Sequence, residues 1–242
     1  MIVSTRGIVF RTINFRETSV ILKVYTESLG MRSYIVNGVR KINARQKAAL
    51  LRPLNLLHLE VYESPGKNIQ RIKEYRPAEL FTSLPFNIQK SSIGMFIAEV
   101  LHKSIKEEEE NEELFGFLFN SISYLDKTES SCANFPLWFL LDLSRHLGFY
   151  PRNNFSESKP HFDLTEGDFV EEDRLSYGKL DPIASGKIAQ LLDLNLSEFE
   201  GLSLSGRRRN ELLQHLLKYY EQHVASFGAV KSLEVLREVL SA

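Results

Sequence analysis

Up to about residue 77, apolar positions fall in short runs broken by turn residues. Within residues 19–26, Val20, Leu22 and Val24 alternate with Ile21, Lys23 and Tyr25, the period of a strand with one buried face. Similar runs cover residues 5–13, 31–36, 54–63 and 68–75. Asn14-Phe15-Arg16-Glu17 separates the first two runs, Ser28-Leu29-Gly30 makes a tight hairpin of the second and third, and Asn37-Gly38 ends the third. Ser64-Pro65-Gly66-Lys67 turns the fourth run into the fifth. Five short strands with a longer link between the third and fourth are the inventory of an OB-fold barrel. An SH3-like barrel has a similar count, and spacing alone does not separate the two.

After Arg76-Pro77 the period changes to that of helices. Helices are expected over residues 87–106, 111–125, 135–147, 182–192, 206–225 and 232–240. The second shows Leu114, Phe117, Leu118, Ser121, Ile122 and Leu125 on one stripe, and Ser205 stands ready to cap the fifth. Residues 148–177 are irregular, with Phe162-Asp163-Leu164 and Asp168-Phe169-Val170 able to pair across Thr165-Glu166-Gly167. The fold class is therefore α+β: an N-terminal five-stranded OB-fold barrel over residues 1–80, then an α-helical domain over 81–242 with a small hairpin insertion at about 149–181. The run Glu107-Glu108-Glu109-Glu110 is either a solvated helix start favoured by the helix dipole or an acidic contact patch.

The net charge of −1 over 242 residues hides a polarised chain. Residues 1–80 hold 14 Lys and Arg against 6 Asp and Glu, a net +8; residues 81–135 carry −5 and residues 136–242 carry −4. Such a molecule attracts polyanions at one end. A single cysteine, Cys132, leaves no intramolecular disulfide or multi-cysteine metal cluster to be made, which fits a reducing cytoplasm. No secretory signal is expected at the start of the chain, and no apolar stretch approaches the ~20 residues of a membrane span. The chain reads as cytoplasmic.

The link after the third run concentrates the charge, with Arg40, Lys41, Arg45 and Lys47 inside eight residues. Such cations neutralise phosphates and release condensed counterions. Arg6, Arg11, Arg16, Arg32, Arg52, Arg71 and Lys73 are spread over strands and turns and permit a continuous basic face. Tyr34, Tyr25, Phe10 and Phe15 are the candidate base-stacking rings, with the barrel core as their other destination. Arg207-Arg208-Arg209 occupies a helix first turn, where cations oppose the dipole, so either an anion, a partner or Glu211 is expected to compensate them. No nucleophile motif, phosphate-binding loop or HExxH is present and the six histidines are scattered, so no enzyme, metal or cofactor is expected.

Thr5-Arg6-Gly7-Ile8-Val9, Arg16-Glu17-Thr18-Ser19, Tyr25-Thr26-Glu27-Ser28-Leu29-Gly30, Asn37-Gly38-Val39-Arg40 and Leu51-Arg52-Pro53-Leu54 stand in order in the first part. Arg145-His146-Leu147-Gly148-Phe149-Tyr150-Pro151 and Leu216-Leu217-Lys218-Tyr219-Tyr220-Glu221-Gln222-His223, followed by Lys231-Ser232-Leu233, stand in the second. In this order and spacing, across nearly the whole length, the chain resembles the RecO family of bacterial recombination mediators. The resemblance implies an OB domain followed by a helical domain, and binding of single-stranded and double-stranded DNA. It further implies strand annealing and cooperation with RecR to help RecA replace single-strand-binding protein. A pocket in the helical domain for the C-terminal tail of that binding protein is implied too; Trp138, Leu141 and Arg145, near one face of the helix over 135–147, are the candidate residues. Family members often carry a CxxC…CxxC zinc module after the Leu-Gly-Phe-Tyr-Pro-like motif, but residues 152–181 contain no cysteine here, and the hairpin around 162–170 is expected in its place. Two other readings are a protein adaptor whose OB domain binds partner proteins rather than DNA, and an OB protein that prefers structured RNA.

Overall fold

The computed structural model describes residues 1–40, 44–175, 178–195 and 198–241. They divide into two compact units, Met1–Lys127 and Thr128–Ala242.

The first unit is built on five strands, β1 (Ile2–Phe15), β2 (Ser19–Thr26), β3 (Gly30–Val36), β4 (Leu56–Tyr62) and β5 (Gln70–Pro77), with a short helix α1 (Arg45–Ala49) between β3 and β4. They close into a barrel in the order β1-β2-β3-β5-β4. β1 is long enough to serve both ends of the sheet: residues 7–15 pair with β2 and residues 2–8 with β4, and its register slips between Val9 and Arg11. A short parallel contact, Tyr34 opposite Gln70 and Ile35 opposite Arg71, closes β3 onto β5. This Greek-key closure is that of the OB fold and settles the choice left open by strand spacing.

The alternation in β2 does what its period requires. Val20, Leu22 and Val24 point inward and meet Val9, Val36, Leu57, Leu59 and Val61 in one buried cluster. Gly7 is needed where β1 crosses this interior, because a Cβ there would lie 2.7 Å from both Leu59 Cδ1 and Val24 Cγ1.

Two helices complete this unit: α2 (Ile88–Ser104), capped by the Asn87 side chain, and α3 (Glu112–Lys127). The pattern changes near residue 80 as expected, but the compact unit continues through both helices. Only Glu112 and Glu113 stand in the first turn of α3. The four-glutamate run lies before it, exposed, with the carbonyl of Glu107 accepting from Met31 N (3.1 Å).

The second unit contains α4 (Phe135–His146), a hairpin of β6 (His161–Asp163) and β7 (Asp168–Val170), α5 (Pro182–Leu192), α6 (Gly206–His223) and α7 (Ser232–Ser241). The insertion is a hairpin, as the pattern suggested, turned at Gly167 with φ +72°. Phe162 and Phe169 pack at 5.1 Å between ring centres, Phe155 lies 5.3 Å from Phe169, and Tyr219 of α6 lies 5.8 Å from Phe162. These residues do not fit the zinc of the family's module: aromatic packing fills the hairpin and cysteine is absent from it. No described helix is long and apolar enough to cross a membrane.

Candidate nucleic-acid interface

Eight of the ten cations expected to contact DNA have described side chains, and these eight fall into two groups. In the first, the charge is already neutralised within the protein. Arg6 grips the carboxylate of Glu27 with Nε at 2.8 Å and Nη2 at 2.5 Å, and its guanidinium lies 4.8 Å over Phe119 and 5.4 Å over Phe115 on α3. The hydrogen bonds from Arg6 hold the Glu27 carboxyl below the ordinary carboxylate range, against the opposing effect of burial. Arg32 is half-buried, donating to the carbonyls of Met31 (3.0 Å) and Glu108 (2.8 Å), with Nε 4.0 Å from Glu63. Lys73 pairs with Glu60 at 2.7 Å. An internal carboxylate thus reaches each of these three, which sets them apart from the cations of the second group.

The second group is exposed. Arg16 sits in the β1–β2 turn at φ +53°, with its guanidinium 5.2 Å over Phe15. Arg40 donates from Nη1 to the Arg16 carbonyl (3.0 Å) and from its backbone N–H to the Thr18 carbonyl (3.1 Å). The β1–β2 turn and the beginning of the basic link are thus held together, bringing Arg16 and Arg40 side by side. Lys41 lies outside the described residues, and Arg45 is described only as the first residue of α1. Lys47, in the last turn of α1, and Arg52, just beyond it, are exposed and have no acidic partner among the described residues. The link expected as plain connection thus contains a helical turn, over residues with no apolar stripe long enough to reveal one.

Arg11 is exposed on β1 and lies 3.0 Å from His102 Nε2 of α2. Burial, reinforced by Arg11, Lys23, Lys103 and Lys106, keeps the His102 imidazole below its ordinary pKa and so neutral at pH 7. Sequence reasoning missed this cluster, because its members lie on β1, β2 and the end of α2.

The stacking rings are also corrected. Tyr34 lies wholly inside the barrel, pointing its hydroxyl at Glu63 (3.5 Å). Phe10 and Tyr25 are buried against each other at 5.8 Å, with Phe115 of α3 6.3 Å from Tyr25. Only Phe15 retains partial exposure. The open outer surface carries other residues. Directly opposite partners share a face, so the pairs Ile13–Ile21, Ile21–Ile35, Ile35–Arg71 and Arg71–Tyr62 define one band across all five strands. Tyr62 is 43% exposed, Ile13 is 39% exposed, and Arg71 is exposed with no acidic partner among the described residues. In the sequence Arg71 is one of many scattered cations and Tyr62 carries no signal of its own; neither stands out until β5 is seen to close onto β3.

In the second unit, Trp138 and Leu141 are buried in the helical core, with Trp138 5.6 Å from Phe135 and 6.3 Å from Phe199. They cannot offer an open anchor site. Arg145 is exposed but bonds to Asp142 (3.1 Å) and covers Tyr150 at 3.8 Å. Of the triple arginine, Arg207 and Arg208 both pair with Glu211, while Arg209 is buried against neutral acceptors.

An OB barrel with an exposed cationic turn and link, joined in sequence to helices, defines the class of molecule. Residues 1–81 match the family described as Recombination protein O N terminal, and residues 85–234 match Recombination protein O C terminal. The chain is 36% identical to the DNA repair protein RecO of Phocaeicola vulgatus and 37% identical to that of Flavobacterium psychrophilum, each over the full length of both chains. A relative of the same name from Bacteroides fragilis is 35% identical over 99% of each chain. The chain belongs to the RecO family.

Proposed function

We propose that this chain is a non-catalytic DNA repair and recombination mediator. Residues 1–80 act as its nucleic-acid-binding domain and residues 81–242 as a helical domain that meets protein partners. It binds single-stranded DNA and double-stranded DNA, promotes annealing, and works with RecR to help load RecA onto DNA coated by single-strand-binding protein, whose C-terminal tail it engages. It acts in the cytoplasm, at the nucleoid. The observation that carries the DNA reading is the Arg40 to Arg16 hydrogen bond, which gathers free cations from turn and link on one side of an OB barrel. Neutralising two strands' phosphates there lets complementary bases approach without full backbone repulsion.

Fluorescence anisotropy of labelled single-stranded DNA at several salt concentrations tests this, comparing the chain with a variant carrying Arg40, Lys41, Arg45 and Lys47 all changed to Ala. Each lost phosphate contact should reduce the slope of log affinity on log salt by about 0.7, so a drop of about 2 to 3 is expected. An unchanged slope would remove the link from the interface.

A specific observation also favours a protein-docking reading. A groove of about 540 Å³ runs between residues 49–57 and the start of α2, lined by Leu54, Leu80, Phe81, Leu84, Phe86 and Met95 among others. Phe86 at its edge is 81% exposed. An open apolar groove is the ordinary form of a peptide or partner site.

A further inference from the structure

We infer that the outer band of the barrel is a platform for unpaired bases, with Tyr62 as its stacking ring, and that it gives the barrel a preference for single strands. The inference rests on the DNA-binding reading and goes beyond it by separating what holds phosphates from what reads strandedness.

Ile13, Ile21 and Ile35 lie side by side on β1, β2 and β3, and Arg71 and Tyr62 continue the row on β5 and β4. Strands of this sheet place alternate residues inward, and the neighbours of the row do point inward: Val20, Leu22, Tyr34, Val36, Gln70 and Val61 are all buried. The row itself therefore faces out, and neither α2 nor α3 removes it from water: Tyr62, Ile13 and Arg71 are exposed, and Ile21 and Ile35 are partly so. Three aliphatic side chains, a tyrosine and a cation make a surface with apolar area for base faces and one charge for a phosphate.

In a duplex the base faces are covered by their neighbours, so a ring on the protein surface meets only the backbone. In a single strand the faces are open, and every base has one, so stacking on Tyr62 is tolerant of sequence. Arg71 is the register neighbour of Tyr62 and can hold the phosphate of the stacked nucleotide. Lys73 and Glu60, further along the same two strands, pair with each other at 2.7 Å. The cations of the turn and link serve both forms of DNA, because they see only phosphate.

The test uses the full chain and its Tyr62→Leu and Tyr62→Phe variants, with fluorescently labelled thymidine homopolymer and a labelled duplex of equal length as probes. Tyr62→Leu should weaken homopolymer binding roughly ten-fold, the order expected for one lost base–ring stack, while duplex binding and both salt slopes stay at the wild-type values. Tyr62→Phe should retain homopolymer binding, which separates stacking from any role of the hydroxyl. Unchanged homopolymer binding by Tyr62→Leu, or an equal loss on duplex, would overturn the platform while leaving DNA binding intact. Binding of neither probe by the wild-type chain would overturn the DNA reading and the platform together.

Discussion

Asp126, in the last turn of α3, holds the backbone N–H of Leu84, 42 residues earlier, at 2.7 Å. The same carboxylate accepts from the backbone N–H groups of Thr82 and Ser83 and from the Thr82 hydroxyl (3.2 Å). Lys90 Nζ completes the knot by donating to the Asp126 carbonyl (2.8 Å) and the Ser83 hydroxyl (2.7 Å). The chain leaving the barrel is thereby fixed against α3 before α2 begins.

Burial pushes the Asp126 carboxyl upward, but its hydrogen bonds outweigh this and leave it below the ordinary carboxylate value. A lowered folded value means stabilisation that is present above the unfolded value, ~3.9, and is lost as pH falls through the folded one. Asp126→Ala, which strands three backbone donors, should cost about 2–4 kcal/mol in urea unfolding at pH 7. Asp126→Asn should flatten the fall in melting temperature expected of the native chain below about pH 4. An identical acid limb in the two proteins would show that this carboxylate does not set it.

Arg6 and the link cations should behave as different kinds of residue. Arg6→Ala removes a two-point contact with Glu27 and the cation over Phe119, both partly open to solvent, and should cost about 1–2 kcal/mol. Its salt slope for DNA should equal that of the native chain. Arg40→Ala should do the reverse, reducing the slope with a small effect on melting. A change of slope in Arg6→Ala would mean that its guanidinium leaves Glu27 to meet DNA.

The strands and helices were legible because each is dictated locally. The Val20, Leu22, Val24 alternation and the Leu114, Leu118, Ile122, Leu125 stripe need only neighbours in sequence to be read. The site was less legible because it depends on which residues meet across strands. That Arg6 faces Glu27 while Arg16 faces the Arg40 link is set by the β1–β2–β3 register, and composition treats these arginines alike. Tyr34 and Tyr62 illustrate the same limit. Both stand on barrel strands, and only their place in the alternation sends one inside and leaves the other outside. The short helix α1 carried no apolar period to announce it.

The hairpin at residues 161–170 should hold its form by packing and hydrogen bonds, without a metal. Phe162→Ala removes a fully buried ring in contact with Phe169 and Tyr219 and should cost about 3–5 kcal/mol. A strong chelator should leave the melting temperature unchanged, as no cysteine ligand exists in the insertion. A downward shift with chelator, reversed by added zinc, would show that other residues had taken over the metal.

Arg209 offers a last test, because its charge is buried without a carboxylate among its hydrogen-bond partners in the described residues. Nε donates to Asn134 Oδ1 (3.0 Å), Nη1 to the Leu240 carbonyl (3.3 Å) and Nη2 to the Leu204 carbonyl (3.2 Å). Three neutral acceptors in three directions suit a planar fork of fixed donors and do not suit a lysine, whose single nitrogen cannot reach all of them. Leu240 belongs to α7, so the guanidinium ties the end of that helix to the first turn of α6. Arg209→Lys should therefore destabilise the chain by about 2–3 kcal/mol despite keeping the charge, with faster amide exchange in α7. Arg207→Lys, whose partner Glu211 is reached from an exposed position, should change stability by less than about 0.5 kcal/mol. If the two lysine variants melt together, Arg209 contributes charge and not geometry, and the attachment of α7 must come from its apolar face instead.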